Sequence, residues 1–438
     1  MSPSSERRLV AIIAFVQFVN ILDFMMVMPL GPDFACSLHI PVSQLGIIGG
    51  SYTAAAAIAG FAGGWVLDRF DRRTALTFLL AGLAVGTVAG GFATGLGGLV
   101  LARVIAGAFG GPATAVAMAI VSDVVPAERR GQALGTVMMA FAVASVLGVP
   151  AGLELARLGS WHTPFFAVGA LCLLAAGAAW RLVPSLRGHI DALEARRARG
   201  DSPSVLSEFS ALLRRSTTQR MFAATAIASF GIFILVPNLA AFTQGNLHYP
   251  RRQLGLLYLM GGVASFVTLR PFGRLVDKHG SFKVALAGSL LSVAVIIPSF
   301  VFTIPWLPVP LIFLAFMVCN GLRNVSLQTL STKVPTATER ARFMSLGSMI
   351  THAFSALGAM ASSRMLGVAG EMGDVSCGNR DHPVPSLVGI DRVAMVSIVT
   401  MLIVPWLLRL VERDVLAAEA ASGAPKPEDK LAPVAHGE

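Results

Sequence analysis

The sequence predicts an all-α integral membrane protein in which twelve transmembrane helices form two pseudo-symmetric six-helix bundles. Of its 438 residues, 55% are hydrophobic and only 13% are charged, and the mean hydropathy is +0.71. Soluble domains carry charge on about a quarter of their residues, so this composition excludes an ordinary soluble protein. Since one span takes roughly 20 apolar residues, the chain has room for about twelve spans. A sequence repeat at a constant offset divides them into two halves.

Apolar runs separated by clusters of charge predict the positions of the spans. The first run follows Arg7 and Arg8. It is too long for a signal-peptide core and lacks a small-residue cleavage site, so we interpret it as a retained span. The predicted spans are 9–31, 43–66, 74–95, 97–122, 132–153, 163–183, 219–243, 253–274, 283–303, 309–334, 343–368 and 391–411.

The basic residues are distributed unequally between the two sides of the predicted membrane. Of the 34 Lys and Arg residues, 25 fall on the side of the N-terminus, five on the other side and four inside spans. This asymmetry predicts that both termini are cytoplasmic. The expected location is the cell inner (cytoplasmic) membrane, which the chain crosses several times. The formal net charge of +10 is therefore interpreted as a topology signal, and no nucleic acid partner is expected.

The longest connection predicts the domain boundaries. Residues 1–183 form the predicted N-terminal bundle, and residues 219–411 form the C-terminal bundle. The linker 184–218 is basic, and apolar residues at helical spacing within it favour a short helix on the membrane surface. A solvated basic linker is the alternative. The segment 412–438 is rich in Ala, Pro and acidic residues, which predicts a disordered cytoplasmic tail.

A short motif follows both the second and the eighth predicted span. It consists of a glycine, any three residues, an aspartate and a base, and the two copies are 209 residues apart. Two prolines also repeat, at offsets of 209 and 208. The residues concerned are Gly64, Asp68 and Arg69; Gly273, Asp277 and Lys278; and the pairs Pro126/Pro335 and Pro29/Pro237. Such a duplication is typical of secondary transporters, whose substrate site lies between the halves near the membrane midplane.

With these motifs the sequence resembles the major facilitator superfamily over about residues 9–411. Residues 64–73 are similar to the family signature G-x-x-x-D-R-x-G-R-R/K, except that Asp71 stands where glycine is usual. Residues 103–110, in the fourth span, resemble the R-x-x-x-G segment of the family.

Two further features resemble the twelve-span drug/proton antiporter branch of that family. Gly148-Val-Pro150-Ala-Gly152 is similar to a shortened Gly-Pro-rich segment of the fifth span, and Asp23 lies in a similar position of the first span. Glycines permit close helix packing, and proline bends a helix. The residues assigned to packing and bending are Gly107, Gly148, Pro150 and Gly152.

The resemblance implies that the two duplicated loops hold the halves together at the cytoplasmic face. Asp68 would face the positive N-terminus of span 11 near Phe343, and Asp277 would mirror it against span 5 near Gln132. The alternative is that these charges only fix the topology. The residues assigned to this gate are Gly64, Asp68, Arg69, Arg72, Arg73, Gly273, Asp277 and Lys278.

Asp23 and Arg103 are predicted to lie at similar depth. Asp23 is about fifteen residues beyond Arg8, which places it roughly 22 Å from that end of the helix. A carboxylate at that depth is costly unless it is paired or protonated. Conformational separation from Arg103 would change its affinity for a proton, which is the chemistry of proton coupling. A permanent structural pair, or a bond from Asp23 to Asn20 alone, is the alternative.

Arg323 is the charged residue closest to the middle of a span in the C-terminal half. It is predicted to recognise an anionic group on a substrate, to neutralise Asp23 across a cavity, or to form a structural bond between helices. His352 is the one histidine inside a predicted span, with packing as the alternative to a proton or substrate role. The predicted substrate-binding residues are Asn20, Asp23, Asn238, Asn320, Arg323, Asn324 and His352.

The leading prediction is a secondary active transporter that exports a small organic or amphipathic compound in exchange for protons. The alternative is an importer or exchanger of an anionic substrate held by Arg323. Nucleotide-binding and hydrolase motifs are absent from the sequence, which argues against a pump with its own nucleotide site and against an enzyme. The expected partners are a small-molecule substrate, protons and membrane lipid, with the chain acting as a monomer and without a cofactor or metal.

The four cysteines form no C-x-x-C pair, so a zinc or dithiol site is not predicted. Cys36 and Cys377 both fall in loops on the predicted outer side. The family architecture implies that these loops approach each other when the outer gate closes, and a disulfide would then be within reach.

Overall fold

The structure is a computed structural model that describes residues 3–188, 190–191, 210, 212–304, 306–336, 339–369 and 384–421. The side chains of Pro3, Gly64, Trp65, Asp68, Ala127, Glu128, Ala341 and Ala421 are outside that description. Within it, twelve helices are long and apolar enough to cross a membrane. The predicted number of spans is confirmed.

Spans 1 to 6 pack on one another as the N-terminal bundle. Their helices are Pro3–Met26, Leu45–Val66, Arg72–Gly91, Leu96–Val124, the pair Ala127–Val143 and Val149–Leu158, and His162–Leu182. A short helix, Gly31–Ser37, follows span 1.

Spans 7 to 12 form the C-terminal bundle. Their helices are the pair Ser216–Phe233 and Leu239–Gly245, then Leu254–His279, Ser281–Ile296, Val309–Lys333, Arg340–Met365 and Ile390–Ala421. Each bundle has six spans, so its first span begins and its last span ends at the same membrane face. We call this face the amino-terminal face. The loop after span 1 and the start of span 8 lie at the opposite face.

Prolines account for the interruptions inside spans, because a proline has no N–H to donate within a helix. Span 5 contains a π-helical turn, Ala144–Gly148, just before Pro150. Span 7 breaks around Pro237, where the turn Val236–Asn238 separates its two helices. The predicted bend at Pro150 therefore lies where the helix changes its winding.

The end of the C-terminal bundle differs from the sequence prediction. Span 12 continues as a helix to Ala421, ten residues beyond its predicted end, so the first part of the predicted disordered tail is helical. Asp414 explains the extension, because it accepts hydrogen bonds from Thr217 (3.2 Å) and Arg220 of span 7. The alanines that follow favour helix as well. Residues 422–438 and most of the linker 184–218 lie outside the described residues.

A pair of short antiparallel strands at the opposite face was not predicted. Strand β1, Gly367–Ala369, follows span 11, and strand β2, Ser386–Val388, precedes span 12. Asn246, after span 7, both donates to and accepts from the backbone of Leu387. The strands thus tie the ends of spans 7, 11 and 12 together.

Asp71, the departure from the family signature, caps the helix of span 3. Its Oδ1 accepts hydrogen bonds from the backbone N–H groups of Arg73 (2.8 Å) and Thr74 (3.3 Å), and its Oδ2 accepts one from Ser185 after span 6. Partial burial raises the pKa of Asp71, but these hydrogen bonds outweigh it and hold the pKa below its usual value.

The C-terminal bundle caps the matching helix with a carboxylate from another span. Gly280, at the repeat offset from Asp71, has a φ of 87°, a left-handed conformation that favours glycine. Glu412 of span 12 accepts from the backbone N–H groups of Ser281 (2.6 Å) and Phe282 (3.1 Å). The two bundles satisfy the same helix terminus with acids from different positions, which explains why Asp71 replaces glycine.

We expect Asp71→Ala to lower the melting temperature of the purified protein in detergent at neutral pH, with a loss of about 0.5–2 kcal/mol. Asp71→Asn should lose much less, because asparagine is an equally good cap. Since the pKa is depressed in the folded protein, the contribution is present above the unfolded pKa and is lost as pH falls through the folded value. A loss from Asp71→Ala that stays constant on acidification would contradict this assignment.

Candidate functional site

The two bundles meet at the opposite face through a glycine-rich contact between spans 2 and 11. A Cβ atom added at Gly46 would collide with the carbonyl oxygen of Ala359 and would lie 2.6 Å from the Oγ of Ser363. One turn further on, a Cβ at Gly50 would lie 3.1 Å from Met360. Only residues without a side chain permit this backbone approach.

A second contact of the same kind joins spans 5 and 8. A Cβ added at Gly262 would lie 2.8 Å from the carbonyl oxygen of Ser145 and 3.0 Å from the Cα of Val146. We call these two contacts together the seam. The seam closes the opposite face between the bundles.

The bundles part toward the amino-terminal face. A Cβ added at Gly60 of span 2, Gly135 of span 5 or Gly273 of span 8 would meet no atom within 4 Å. Asp277 and Lys278, near the end of span 8, are exposed. The spans that touch at one face are therefore separated at the other, which leaves a cleft open to the amino-terminal face.

This open face agrees with the position of Asp277, one of the two predicted gate residues. Asp277 has no ion pair with span 5 among the described residues, and Arg69 is exposed. The side chain of Asp68 and the surroundings of Gly64 are outside the description. Both gate contacts stay predictions, made for a state that is closed at this face.

The remaining bases of the first loop contact their own bundle. The Nε of Arg72 lies 3.5 Å from a carboxylate oxygen of Asp123 at the end of span 4. The guanidinium of Arg73 lies over the Trp180 ring of span 6, 4.8 Å from its centroid. These contacts hold the loop against spans 4 and 6.

Asp23 and Arg103 form a fully buried ion pair, as their predicted depth indicated. The Nη1 of Arg103 donates to both carboxylate oxygens of Asp23, at 3.1 and 3.2 Å, and its Nη2 donates to the Asp23 carbonyl at 3.4 Å. Thr87 of span 3 also donates to Asp23, at 2.6 Å. Asp23 is 0% exposed and Arg103 1%. Removing one partner of such a pair costs roughly 3–5 kcal/mol, because the other charge is left buried alone.

Tyr52 of span 2 links this pair to a second polar group. Its ring lies under the Arg103 guanidinium, 4.5 Å from centroid to Cζ, and its hydroxyl donates to Asn20 Oδ1 at 3.3 Å. Asn20 donates in turn to the Gly110 carbonyl (2.8 Å) and to Thr114 (2.7 Å) of span 4. Asn20 therefore bonds to span 4 and not to Asp23.

Sequence reasoning missed Thr87 and Tyr52. Tyr52 is one of three tyrosines in the chain, and its place in an apolar span was the available signal. No sequence feature distinguished Thr87.

All partners of Asp23 in the described structure belong to the N-terminal bundle, so no contact of the pair crosses the cleft.

Phe24 connects the neighbourhood of the pair to the other bundle. Its ring lies 5.2 Å from that of Tyr52 and 6.0 Å from that of Phe233 in span 7. Phe24 directly follows Asp23 in the chain, so the carboxylate lies next to a residue that contacts both bundles.

Arg323 is buried in the C-terminal bundle without a carboxylate partner among the described residues. It is 7% exposed, its Nη1 donates to Asn320 at 3.2 Å, and its Nε has no hydrogen-bond acceptor. Its aliphatic stem packs against Gly288 of span 9. Asn324 is exposed and so does not share this environment. Arg323 does not neutralise Asp23, which is paired with Arg103.

The other predicted substrate-binding residues occupy different levels of the C-terminal bundle. Asn238, at the break in span 7, is 0% exposed and donates to Ser362 of span 11 at 3.0 Å, while its Oδ1 has no partner. His352 is half-buried. It lies one turn before Ala356 and two turns before Met360, on the side of span 11 that forms the seam. These residues stay predictions as ligand contacts.

The glycines assigned to packing lie where helices cross closely. A Cβ at Gly107 would collide with the Tyr52 carbonyl, and one at Gly148 would lie 2.7 Å from Leu22. Gly152 is less crowded, with Met26 at 3.8 Å. Gly107 brings span 2 and span 4 together directly beside the buried ion pair.

The described cysteines and acids offer no metal site: no group of three His, Cys, Asp or Glu side chains among the described residues is placed to hold an ion. Cys36 is disulfide-bonded, and Cys172 and Cys319 are free and buried. Cys377, the predicted partner of Cys36, lies outside the described residues.

A sequence profile of the Major Facilitator Superfamily matches residues 13–359, which is most of the chain. The chain belongs to the major facilitator superfamily. The resemblance drawn from the loop motifs is therefore confirmed. As a member of this family the chain is a multi-pass membrane transporter of small molecules and not an enzyme.

Individual relatives are distant. The uncharacterized MFS-type transporter YceJ of Bacillus subtilis is 25% identical over 67% of this chain and 72% of its own length. A chloramphenicol resistance protein of Streptomyces lividans is 28% identical over 60% of this chain and 65% of its own. A bacterial homologue of the human lysosomal transporter Spinster, solved in an inward-facing, unoccupied conformation, has a TM-score of 0.70 at 18% identity and covers 95% of this chain and 99% of its own.

We expect Gly46→Ala to disfavour closure of the opposite face, because the added Cβ cannot coexist with the Ala359 carbonyl. Spin labels at the exposed positions Ser160 and Phe302, one on each bundle at that face, should show a longer and broader distance distribution. Gly60→Ala, on the same helix in open space, is the matched control. Equal distributions in both variants would show that the Gly46 contact does not hold the face closed.

Proposed function

We propose that this transporter exports small organic or amphipathic compounds in exchange for protons, with Asp23 as the proton-carrying group. The observation that carries the proposal is the buried Asp23–Arg103 pair. A carboxylate at membrane depth persists as an anion only beside a cation. When Arg103 moves away from it, the carboxylate is better accommodated with a proton.

The asymmetric seam supports an alternating-access cycle. The cleft is open at one face and sealed at the other, so a ligand enters from the amino-terminal face alone in this state. Positive charge concentrated at that face supports its assignment as cytoplasmic. Rocking of the bundles about the site would then open the opposite face and deliver a compound outward.

Phe24 supplies a physical link between rocking and proton exchange. Its ring contacts both Tyr52, which lies under Arg103, and Phe233 of the other bundle. Parting of the bundles at the opposite face would remove the Phe233 contact and free Phe24 and Tyr52 to shift. The ion pair can then loosen although none of its own bonds crosses the cleft.

The relative named as a chloramphenicol resistance protein supports a small organic substrate. The absence of a free carboxylate deep in the spans agrees with a substrate that is not a strong cation. Apart from Asp23, every acidic residue of the twelve spans lies within about two turns of a membrane face.

We expect Asp23→Asn to abolish compound-driven proton release. In everted vesicles with a pre-formed proton gradient, chloramphenicol and a panel of neutral amphipathic compounds are added while a pH-sensitive dye is followed. Asp391→Asn, which removes an exposed acid in the first turn of span 12, is the matched control and should behave as wild type.

Because Asp23→Asn leaves Arg103 buried without a partner, the double variant Asp23→Asn/Arg103→Gln is tested beside it. The double variant should fold, bind compound and still release no protons. Proton release at the wild-type rate in either variant would exclude this proton route.

A second candidate function is transport of an anionic substrate. The observation that favours it is Arg323, which is buried at mid-span, lacks a carboxylate partner among the described residues and has an unmatched Nε. A guanidinium recognises carboxylate and phosphate groups through two parallel hydrogen bonds. An anion with those groups would complete the site.

If this candidate holds, arylcarboxylates and alkyl phosphates should raise the melting temperature of the wild-type protein, and Arg323→Gln should remove most of that shift. Arg270→Gln serves as the control, since Arg270 is an exposed arginine on span 8. Equal shifts in the wild type and Arg323→Gln would eliminate an anion site at Arg323.

A further inference from the structure

The opposite face carries an ion pair that joins the two bundles. Asp33 lies in the short helix Gly31–Ser37 after span 1, and Arg251 lies at the start of the turn before span 8. The Nε and Nη2 of Arg251 donate to the two carboxylate oxygens of Asp33, both at 2.7 Å. The Nη2 also donates to the Leu153 carbonyl of span 5 at 3.5 Å.

The geometry of this pair is that of a strong contact. A two-point bond between guanidinium and carboxylate fixes direction as well as distance, and its charge-assisted hydrogen bonds are short. The side chains are 11% and 24% exposed, so water screens the pair only in part. A fully exposed surface pair would contribute little.

Each partner has contacts within its own bundle, and the helix of Asp33 also touches the helix Leu239–Gly245 of the C-terminal bundle. The helix of Asp33 packs through Gly31 on Leu45 of span 2 and through Phe34 on Trp161, whose ring centroid is 6.1 Å away. Arg251 leads directly into the helix Leu254–His279. Movement of the bundles apart at this face must therefore break the pair.

Within the described ranges, no other ion pair joins the N-terminal bundle to the C-terminal bundle. In the two contacts of the seam, glycines pack against the backbone of the other bundle. The surfaces are complementary in shape, but this packing supplies no directional bonds. Arg251 adds directional bonds at the end of the span 5–span 8 contact. It reaches both the loop after span 1 and the carbonyl of Leu153.

We infer that Asp33 and Arg251 form a latch that holds the opposite face closed in the state open to the amino-terminal face. The inference rests on the proposed alternating access, and it assigns two residues to the closing of the outer gate. Breaking the latch is a required step before a ligand can leave on that side. Loss of either partner shifts the population toward the state that is open there.

The test is hydrogen–deuterium exchange of the full chain in lipid nanodiscs. In Asp33→Asn and Arg251→Gln, the backbone amides of 45–50, 254–262 and 356–363 should exchange about tenfold faster, because the charge-assisted hydrogen bonds that oppose opening of this face are lost. The charge-swapped double variant Asp33→Arg/Arg251→Asp should return these segments toward the wild-type rate.

Two controls remove a charge at the same face without touching the latch. Asp391→Asn removes an exposed acid at the start of span 12, and Arg252→Gln removes the exposed neighbour of Arg251. Both should exchange as wild type. If Asp33→Asn or Arg251→Gln loses protection from exchange throughout the chain, hydrogen–deuterium exchange of the same segments is measured in Arg251→Lys and in the charge-swapped double variant.

Wild-type exchange rates in both single variants would overturn the latch, as would a charge swap that is no slower than the single variants. The readout needs neither a substrate nor a proton gradient. If the exchange experiment contradicts the latch, the proposal that Asp23 carries the proton is unaffected. If the vesicle experiment shows no Asp23-dependent proton release, the latch is unaffected.

Discussion

A buried charge pair inside a membrane is the constraint on which the N-terminal bundle depends. Asp23 and Arg103 are tolerated there because each satisfies the other, with Thr87 and the Tyr52 ring completing their surroundings. Close packing of spans 2 and 4 at Gly107 places the Tyr52 ring under the guanidinium. The C-terminal bundle has no equivalent among its described residues: Arg323 is buried there with an amide partner alone. The N-terminal bundle thus contains a buried ion pair, whereas the C-terminal bundle contains a buried arginine without a carboxylate partner among its described residues.

The same asymmetry is found between the two membrane faces. At the opposite face the bundles are joined by glycine contacts and by the Asp33–Arg251 pair, and at the amino-terminal face they are apart. The contacts inside each bundle, such as the Asp71 and Glu412 helix caps, need not change when the bundles rock. Strong bonds within bundles and few bonds between them are what a rigid-body rocking cycle requires.

The sequence predicted the twelve spans and the Asp23–Arg103 pair because both follow from the cost of polar groups in hydrocarbon. It did not predict Thr87 or Tyr52, since a single hydroxyl on a neighbouring helix has no sequence pattern. The partners Asp33 and Arg251 lie 218 residues apart in two loops without a motif. No sequence pattern distinguishes Gly46 and Gly262 from the other glycines. Their role in packing the bundles follows from their backbone contacts at the closed face. The helical end of span 12 was missed because its anchor, Asp414, bonds to span 7.

In the proposed mechanism the Asp23 carboxyl gains and loses a proton as the cleft changes the face to which it opens. Infrared difference spectroscopy of the carboxyl stretch measures this protonation in wild type, in Gly46→Ala, which disfavours closure of the opposite face, and in Asp23→Asn at one pH. We expect a protonated-carboxyl band that is larger in Gly46→Ala than in wild type and is missing in Asp23→Asn. A band of the same size in all three proteins would contradict this mechanism.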